Sequence, residues 1–349
     1  MRYDSVIDAI GHTPLVRLAT GAETGVRVYA KLELQNQFGM KDRVAKGAIL
    51  AAREAGELLP GAPIVESSSG TMALGVALVG TALGHPVHIV TDPRIDPITM
   101  AKLRSLGCRV HVVPRMTGNG WQSARLEMLE ELMRTMPGAF WPRQYTNPEN
   151  PRAYRNLAAE LYEDLGTVDI LVGAVGSGGS LCGTSRALRE YLPRVRVVGV
   201  DSVGSVLFGQ PDRPGRLQGG LGNSLMPANL DHALLDEVHW LNDREAFEAT
   251  RELAAREKVF AGNTAGSVYR VLTHLSRTAP AGTTVVGIMA DRGDRYHSTV
   301  YDDDYWTEKG LGHLRCAEEP ERVPSGQVVS GWSVRDLTDA TVGGAPCRI

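Results

Sequence analysis

The chain has 349 residues, 43% hydrophobic and 22% charged, the balance of an ordinary globular enzyme with room for two lobes of roughly 150 residues each. A net charge of −3 without a basic run argues against nucleic acid as a partner, and no apolar stretch approaches the roughly 18 residues of a membrane span. Cys108, Cys182, Cys316 and Cys347 form no CxxC pair and the histidines no ligand spacing, so neither a disulfide framework nor a metal is expected.

Asp4 follows the N-terminus at once, with no apolar signal core, and the expected compartment is the cytoplasm. In chain order, short apolar runs predict strands at 26–34, 63–66, 87–91, 109–113, 170–174, 195–200 and 285–289. Helical patterns interleave with them near 43–55, 72–83, 97–106, 122–134, 152–165, 181–191 and 244–258. Most of the strands are apolar throughout, as parallel strands buried on both faces are. The first alternates Val26, Val28, Ala30, Leu32 and Leu34 with Arg27, Tyr29, Lys31 and Glu33, so one of its faces is expected to meet water. Strand, helix and strand repeated in this way predict an open α/β sheet, with ligands beyond the carboxyl ends of its strands. From about Gly310 the pattern fails, and an extension that wraps the surface or is partly disordered is expected.

Three strand-to-helix turns carry chemistry. The first, Asn36-Gln37-Phe38-Gly39-Met40-Lys41-Asp42-Arg43, sets a lysine beside a helix N-terminus, whose partial positive charge favours the neutral amine. Read alone, Lys41 is better explained as a surface lysine than as a catalytic one. The second, Glu66-Ser67-Ser68-Ser69-Gly70-Thr71, gathers hydroxyls and backbone N–H groups that suit a carboxylate or phosphate, and the apolar helix behind it must be buried. An over-supplied helix cap is the plain alternative. The third, Gly176-Ser177-Gly178-Gly179-Ser180, lets backbone approach an anion. It lacks the Gly-Lys-Ser/Thr ending of a P-loop and the last glycine of a dinucleotide fingerprint.

In this order the turns resemble the cysteine synthase / cystathionine β-synthase family of fold-type II pyridoxal phosphate (PLP) enzymes, over about Ser5 to Trp306. Ile10-Gly11-His12-Thr13-Pro14-Leu15-Val16-Arg17-Leu18 is similar to the family's opening motif. The resemblance implies two open, twisted, mostly parallel sheets flanked by helices, with the active site between lobes. Residues 1–40 and 150–306 would form a larger cofactor-binding lobe, 41–149 a smaller mobile substrate lobe, and 307–349 a C-terminal extension. It implies that Lys41 holds PLP as a Schiff base and that Gly176, Ser177, Gly178, Gly179 and Ser180 bind its phosphate. Thr71 would meet the ring hydroxyl, and Thr264, in Ala261-Gly262-Asn263-Thr264-Ala265-Gly266-Ser267, the pyridine nitrogen. Ser68, Ser69, Gly70, Thr71 and Gln144, the last in Gln144-Tyr145-Thr146-Asn147-Pro148, would hold the substrate carboxylate.

The chain departs from the family at four positions. Gly39 replaces a serine, Thr71 an asparagine, Met72 a threonine and Thr264 a serine. A neutral hydroxyl at Thr264 implies a shallow electron sink, which suits β-elimination and β-replacement. The resemblance implies that Lys41 removes and returns the α-proton of an O-acetyl- or O-phosphoserine substrate. A sulfur nucleophile giving cysteine or S-sulfocysteine is the first expectation. An amine nucleophile giving a 2,3-diaminopropionate-type product is the alternative raised by the Thr71-Met72 pair. A reading from another class is a catalytically idle regulatory or binding protein on the same fold. The implied partners are a small-molecule amino acid, its nucleophile and a second copy in a homodimer. Arg216 either pairs with a phosphate or plays an ordinary surface role. Ile349 reads as an ordinary terminal residue, although a partner acyltransferase's terminal isoleucine occupies the carboxylate site in this family.

Overall fold

The structure, a computed structural model, describes residues 2–117 and 120–338; Cys347 and Ile349 lie outside the described residues. β1 (Leu15–Arg17) pairs antiparallel with β2 (Arg27–Lys31), and the chain enters α1 (Lys41–Glu54). Next come β3 (Ile64–Ser67), α2 (Thr71–Ala82), β4 (Val87–Thr91), α3 (Pro97–Ser105) and β5 (Arg109–Val112), whose strands form a separate parallel sheet. α4 (Gly120–Thr135), α5 (Glu149–Arg152) and α6 (Arg155–Leu165) lead back to β6 (Ile170–Ala174), α7 (Gly179–Tyr191) and β7 (Arg196–Ser202). β8 (Glu237–Leu241), α8 (Asp243–Glu257), α9 (Asn263–Thr278), β9 (Thr284–Ile288), α10 (Asp303–Glu308), β10 (Glu321–Arg322) and β11 (Ser333–Asp336) complete the described chain.

The larger sheet runs β1-β2-β9-β6-β7-β8-β11-β10 and is parallel from β2 through β8. The expected α/β class with two mostly parallel sheets is therefore what the structure shows. Alternate residues of its central strands enter opposite cores, which is why those strands read as unbroken apolar runs. Leu171, Val197 and Val286 pack with α1, α2, α6 and α7, whereas Val172, Val198 and Val285 pack with Leu253, Val268 and Leu272 of α8 and α9. α2 is buried from Met72 to Gly80, as its all-apolar sequence requires. No helix among the described residues is long and apolar enough to cross a membrane.

The structure corrects several expectations. The polar face of the first strand does not simply meet water: Arg27 is exposed, but Lys31 and Glu33 are buried in an ionic cluster. The predicted helix over 152–165 breaks between α5 and α6 at Ala153-Tyr154. The region past Gly310 is not only a surface wrap, because β11 extends the large sheet antiparallel to β8 and buries Trp332. A four-residue strand in a charged, aperiodic context leaves no pattern to read.

Candidate active site

Lys41 is the first residue of α1, delivered by a turn that fixes it from both sides. The Met40 N–H donates to Ala290 O at 2.9 Å, the Tyr154 hydroxyl donates to Met40 O at 3.2 Å, and the Phe38 N–H donates to Asp42 Oδ2 at 2.8 Å. Gly39 has φ +124°, and a Cβ there would lie 2.9 Å from Ala290 O. The family's serine thus gives way to glycine because this backbone excludes a side chain. Lys41 Nζ donates to Ser177 Oγ at 3.1 Å. Burial pushes the amine down to about 8, with Glu66 pulling the other way. Burial, and not the helix terminus stressed by the sequence, is the main cause.

Ser177 lies in the Gly176–Ser180 turn between β6 and α7. Gly178 is the N-terminal cap in a left-handed conformation and brings no side chain to the cap, so the first-turn N–H groups of α7 are left to an external acceptor. A Cβ on Gly178 would sit 2.6 Å from Leu230 Cα, so only glycine fits. Asn150 Nδ2 donates to Ser177 Oγ at 3.2 Å, while its buried Oδ1 has no protein partner. Asn150 and Asn229 also donate to Gln144 O, at 2.5 and 3.0 Å, which anchors the predicted carboxylate residue to the same turn.

The Ser68–Thr71 loop follows β3 of the smaller sheet. Ser69 Oγ accepts from Arg125 Nη1 at 2.6 Å and from Thr91 Oγ1 at 3.0 Å; Ser68 Oγ accepts from the Gly70 N–H at 3.1 Å. Thr71 opens α2, but Met72 points into the core and is 2% exposed. On the other side, Thr264 Oγ1 contacts Asp291 Oδ1 at 3.4 Å, and Asp291 accepts from the Tyr296 hydroxyl at 2.8 Å. Burial raises Asp291 toward its neutral form despite Arg295 nearby. Arg295 reaches Asp291 at 3.8 Å, Asp96 at 3.5 Å and Ser69 O at 3.3 Å, tying the loop of the small sheet to the end of β9. Arg216 does not face an anion site: its donors are taken by Gly204 O, Arg213 O, Asp212 and Ser224.

A cavity of about 320 Å³ is lined by Glu66, Arg125, Trp141, Arg143, Gln144 and Tyr145, among others. Arg125 is also held by Asp92 at 3.3 Å, and Arg143 lies over the Trp141 ring at 5.3 Å. Burial raises Glu66 to about 7, the opposing pull coming from Ser67, Trp141, Lys41 and Arg125. A larger cavity of about 500 Å³ between α1 and residues 139–149 contains none of the predicted site residues. Sequence reasoning missed Arg125, Asn150, Asp291 and Arg295. Only Asn150 had a readable signal, its place just after the Gln144 segment.

Comparison with known proteins decides the family. Residues 6–291 match the family described as pyridoxal-phosphate dependent enzyme. The chain belongs to that family. This enzyme is 37% identical over 311 residues to the N-(2-amino-2-carboxyethyl)-L-glutamate synthase of Cupriavidus metallidurans, covering 87% of the chain and 91% of that relative. A crystal structure of O-ureido-L-serine synthase superposes with TM-score 0.81 at 31% identity, covering 88% of this chain and all of that one. Cysteine synthase from Entamoeba histolytica gives TM-score 0.81 at 27% identity, covering 86% and 91%. The expected family, fold-type II architecture and cofactor are thereby shown. The residues also fit the cofactor physically: an uncapped helix N-terminus suits its phosphate, and a buried amine of lowered pKa suits its aldehyde.

Proposed function

We propose that this enzyme replaces the oxygen substituent of an O-activated L-serine with an amine, forming a 2,3-diaminopropionate-type product. PLP, when bound, supplies the electron sink that acidifies the α-proton and lets the β-substituent leave. In this reading Lys41 holds the cofactor and moves the α-proton, its lowered pKa suiting both tasks. The α7 N–H groups with Ser177 and Ser180 would bind the phosphate, Thr71 would serve the ring hydroxyl, and Thr264, which contacts Asp291, would serve the ring nitrogen. Ser68, Ser69, Gly70, Thr71 and Gln144 hold the substrate carboxylate. Because Met72 is core, that grip rests on hydroxyls, backbone and the Gln144 amide.

The observation that carries the choice of nucleophile is the cavity lined by Glu66, whose charge acts on Lys41. It combines two guanidinium groups, Arg125 and Arg143, with one buried carboxyl, Glu66, a set complementary to an amine that also bears carboxylates. The glutamate adduct in the relative's name supports the same choice. The sulfur nucleophile expected first from the sequence becomes the second reading, favoured by the likeness to cysteine synthase. The test is product mass after incubating holoenzyme with O-phospho- or O-acetylserine and a panel of L-glutamate, other amines, sulfide and thiosulfate. An amine adduct as main product is expected; turnover with sulfide or thiosulfate alone would contradict the proposal.

A further inference from the structure

The cavity holds one carboxyl group, Glu66, to which the steps above give no proton transfer. Glu66 is the third residue of β3 and is 1% exposed. Its Oε1 accepts from the Ser67 N–H at 2.8 Å and from Trp141 Nε1 at 3.3 Å, while Oε2 is buried with no protein partner. The neighbours that act on its charge are Lys41 from α1 and Arg125 from α4, and the Tyr145 hydroxyl feels Glu66 in turn. The buried carboxylates of the ionic cluster, Glu33 and Glu160, have both oxygens engaged. Asp42 and Asp201 each keep one oxygen without a partner, as Glu66 does, but of these three Glu66 is the one that lines the cavity. A half-satisfied one on a cavity wall marks a place where a donor arrives with the ligand.

Resting on the amine reading, we infer that Glu66 is the base that deprotonates the incoming nucleophile. An amine is an ammonium ion near neutral pH and has no lone pair to attack with. Glu66 Oε2 takes one N–H proton. The freed lone pair makes the N–Cβ bond, while the electron pair of the broken Cβ–O bond has left with the acyloxy or phosphate group. One further N–H proton passes to solvent from the new secondary ammonium, Glu66 gives its proton to water, and Lys41 returns the α-proton. Nothing is oxidised or reduced. The orphan oxygen becomes the ammonium's hydrogen-bond acceptor, and a carboxyl raised to about 7 is matched to this transfer. Hydrosulfide attacks as an anion and needs no such base.

The test compares Glu66→Gln, Glu66→Asp and wild-type holoenzyme with L-glutamate and with sulfide, each product followed by mass. With L-glutamate the Gln variant should lose on the order of a hundredfold in kcat, at least tenfold more than with sulfide, and Asp should restore part of it. The acid limb near pH 7 in the wild-type glutamate profile should vanish in Glu66→Gln. Asp42 and Asp201 are also raised to about 7 by burial, so in cofactor-free protein the readout is the wild-type minus Glu66→Gln infrared difference spectrum, which should show a carboxyl band that titrates near pH 7. Equal losses with both nucleophiles, an unaltered rate with glutamate, or no such band would overturn the inference. A wild-type enzyme that forms no amine adduct would remove the proposed function itself, which separates the two failures.

Discussion

Two groups of buried charges flank the first turn of α1, and they differ in how completely they are satisfied. On one side Arg43 donates four hydrogen bonds of 2.7–2.9 Å to Glu33 and Glu160, Lys31 Nζ reaches Glu160 at 2.8 Å and Thr13 O at 2.7 Å, and Thr13 Oγ1 donates to Glu33 at 2.6 Å. On the other side, Glu66 Oε2 and Asn150 Oδ1 are buried with no protein partner, and burial lowers Lys41. The saturated group ties β2, α1 and α6 together and so fixes where Lys41 starts its helix. The unsaturated group keeps donors and acceptors for a ligand. In the proposed function the two groups differ in the state of their partners together with their place at the cavity wall, since Asp42 and Asp201 also keep an unpartnered oxygen without lining that cavity.

The largest effect is expected from breaking the saturated group. Arg43→Ala leaves Glu33 and Glu160 buried beside a single remaining cation, and should cost about 3–5 kcal/mol of stability in urea unfolding. A loss under about 1 kcal/mol would show that the cluster does not hold the fold.

The same group predicts an acid limb. Burial alone would raise Glu160, but Arg43 and Lys31 outweigh it and hold the carboxyl at about 2, below the ordinary glutamate value of 4.5. A lowered folded pKa gives stability that is complete above the unfolded value and is lost as pH falls through the folded one. About 3 kcal/mol should therefore disappear between about pH 5 and pH 2. Glu160→Gln should be less stable at neutral pH and should lose that share of the slope, with the remainder left to other lowered carboxylates such as Asp92 and Glu237. An unchanged slope would contradict the pairing.

The unsaturated group should respond in the opposite sense. Arg125→Ala should change stability by about 1 kcal/mol, yet raise KM for the anionic substrate roughly tenfold to a hundredfold with a smaller change in kcat. Loss of stability with unaltered KM would move Arg125 to the structural side. The smallest effect is expected from Met72→Thr, which introduces the family's residue. It buries a hydroxyl in the core, costs about 1–2 kcal/mol and leaves KM for the serine substrate within about twofold. A tighter substrate would show that Met72 lies at the carboxylate after all.

The sequence made the frame legible where burial and periodicity coincide. Runs such as Val87–Thr91 and Ile170–Ala174 lie in parallel strands with both faces covered, and the structure places them as expected. β8 escaped because Glu237 and His239 interrupt an apolar run; they are buried by pairing with each other, Glu237 with Arg196 and His239 with Trp332, the latter two partners distant in sequence. α9 was hidden because its first turn was read only as a cofactor loop. Within the site, Lys41 and the Gly176–Ser180 turn stood out only in combination and through the family resemblance, since each alone has an ordinary reading at a strand-to-helix junction. Arg125 was not, since a lone arginine on an amphipathic helix looks like any solvated position until the fold sets it 2.6 Å from Ser69. Glu66 was visible as a letter in the serine-rich turn, but its unpartnered oxygen exists only in three dimensions.

Borohydride reduction of the holoenzyme, followed by peptide mapping, tests most directly that Lys41 is the residue holding the cofactor. One phosphopyridoxyl group on Lys41 is the predicted result. The same group on Lys46 or Lys31, or none on any lysine, would contradict it.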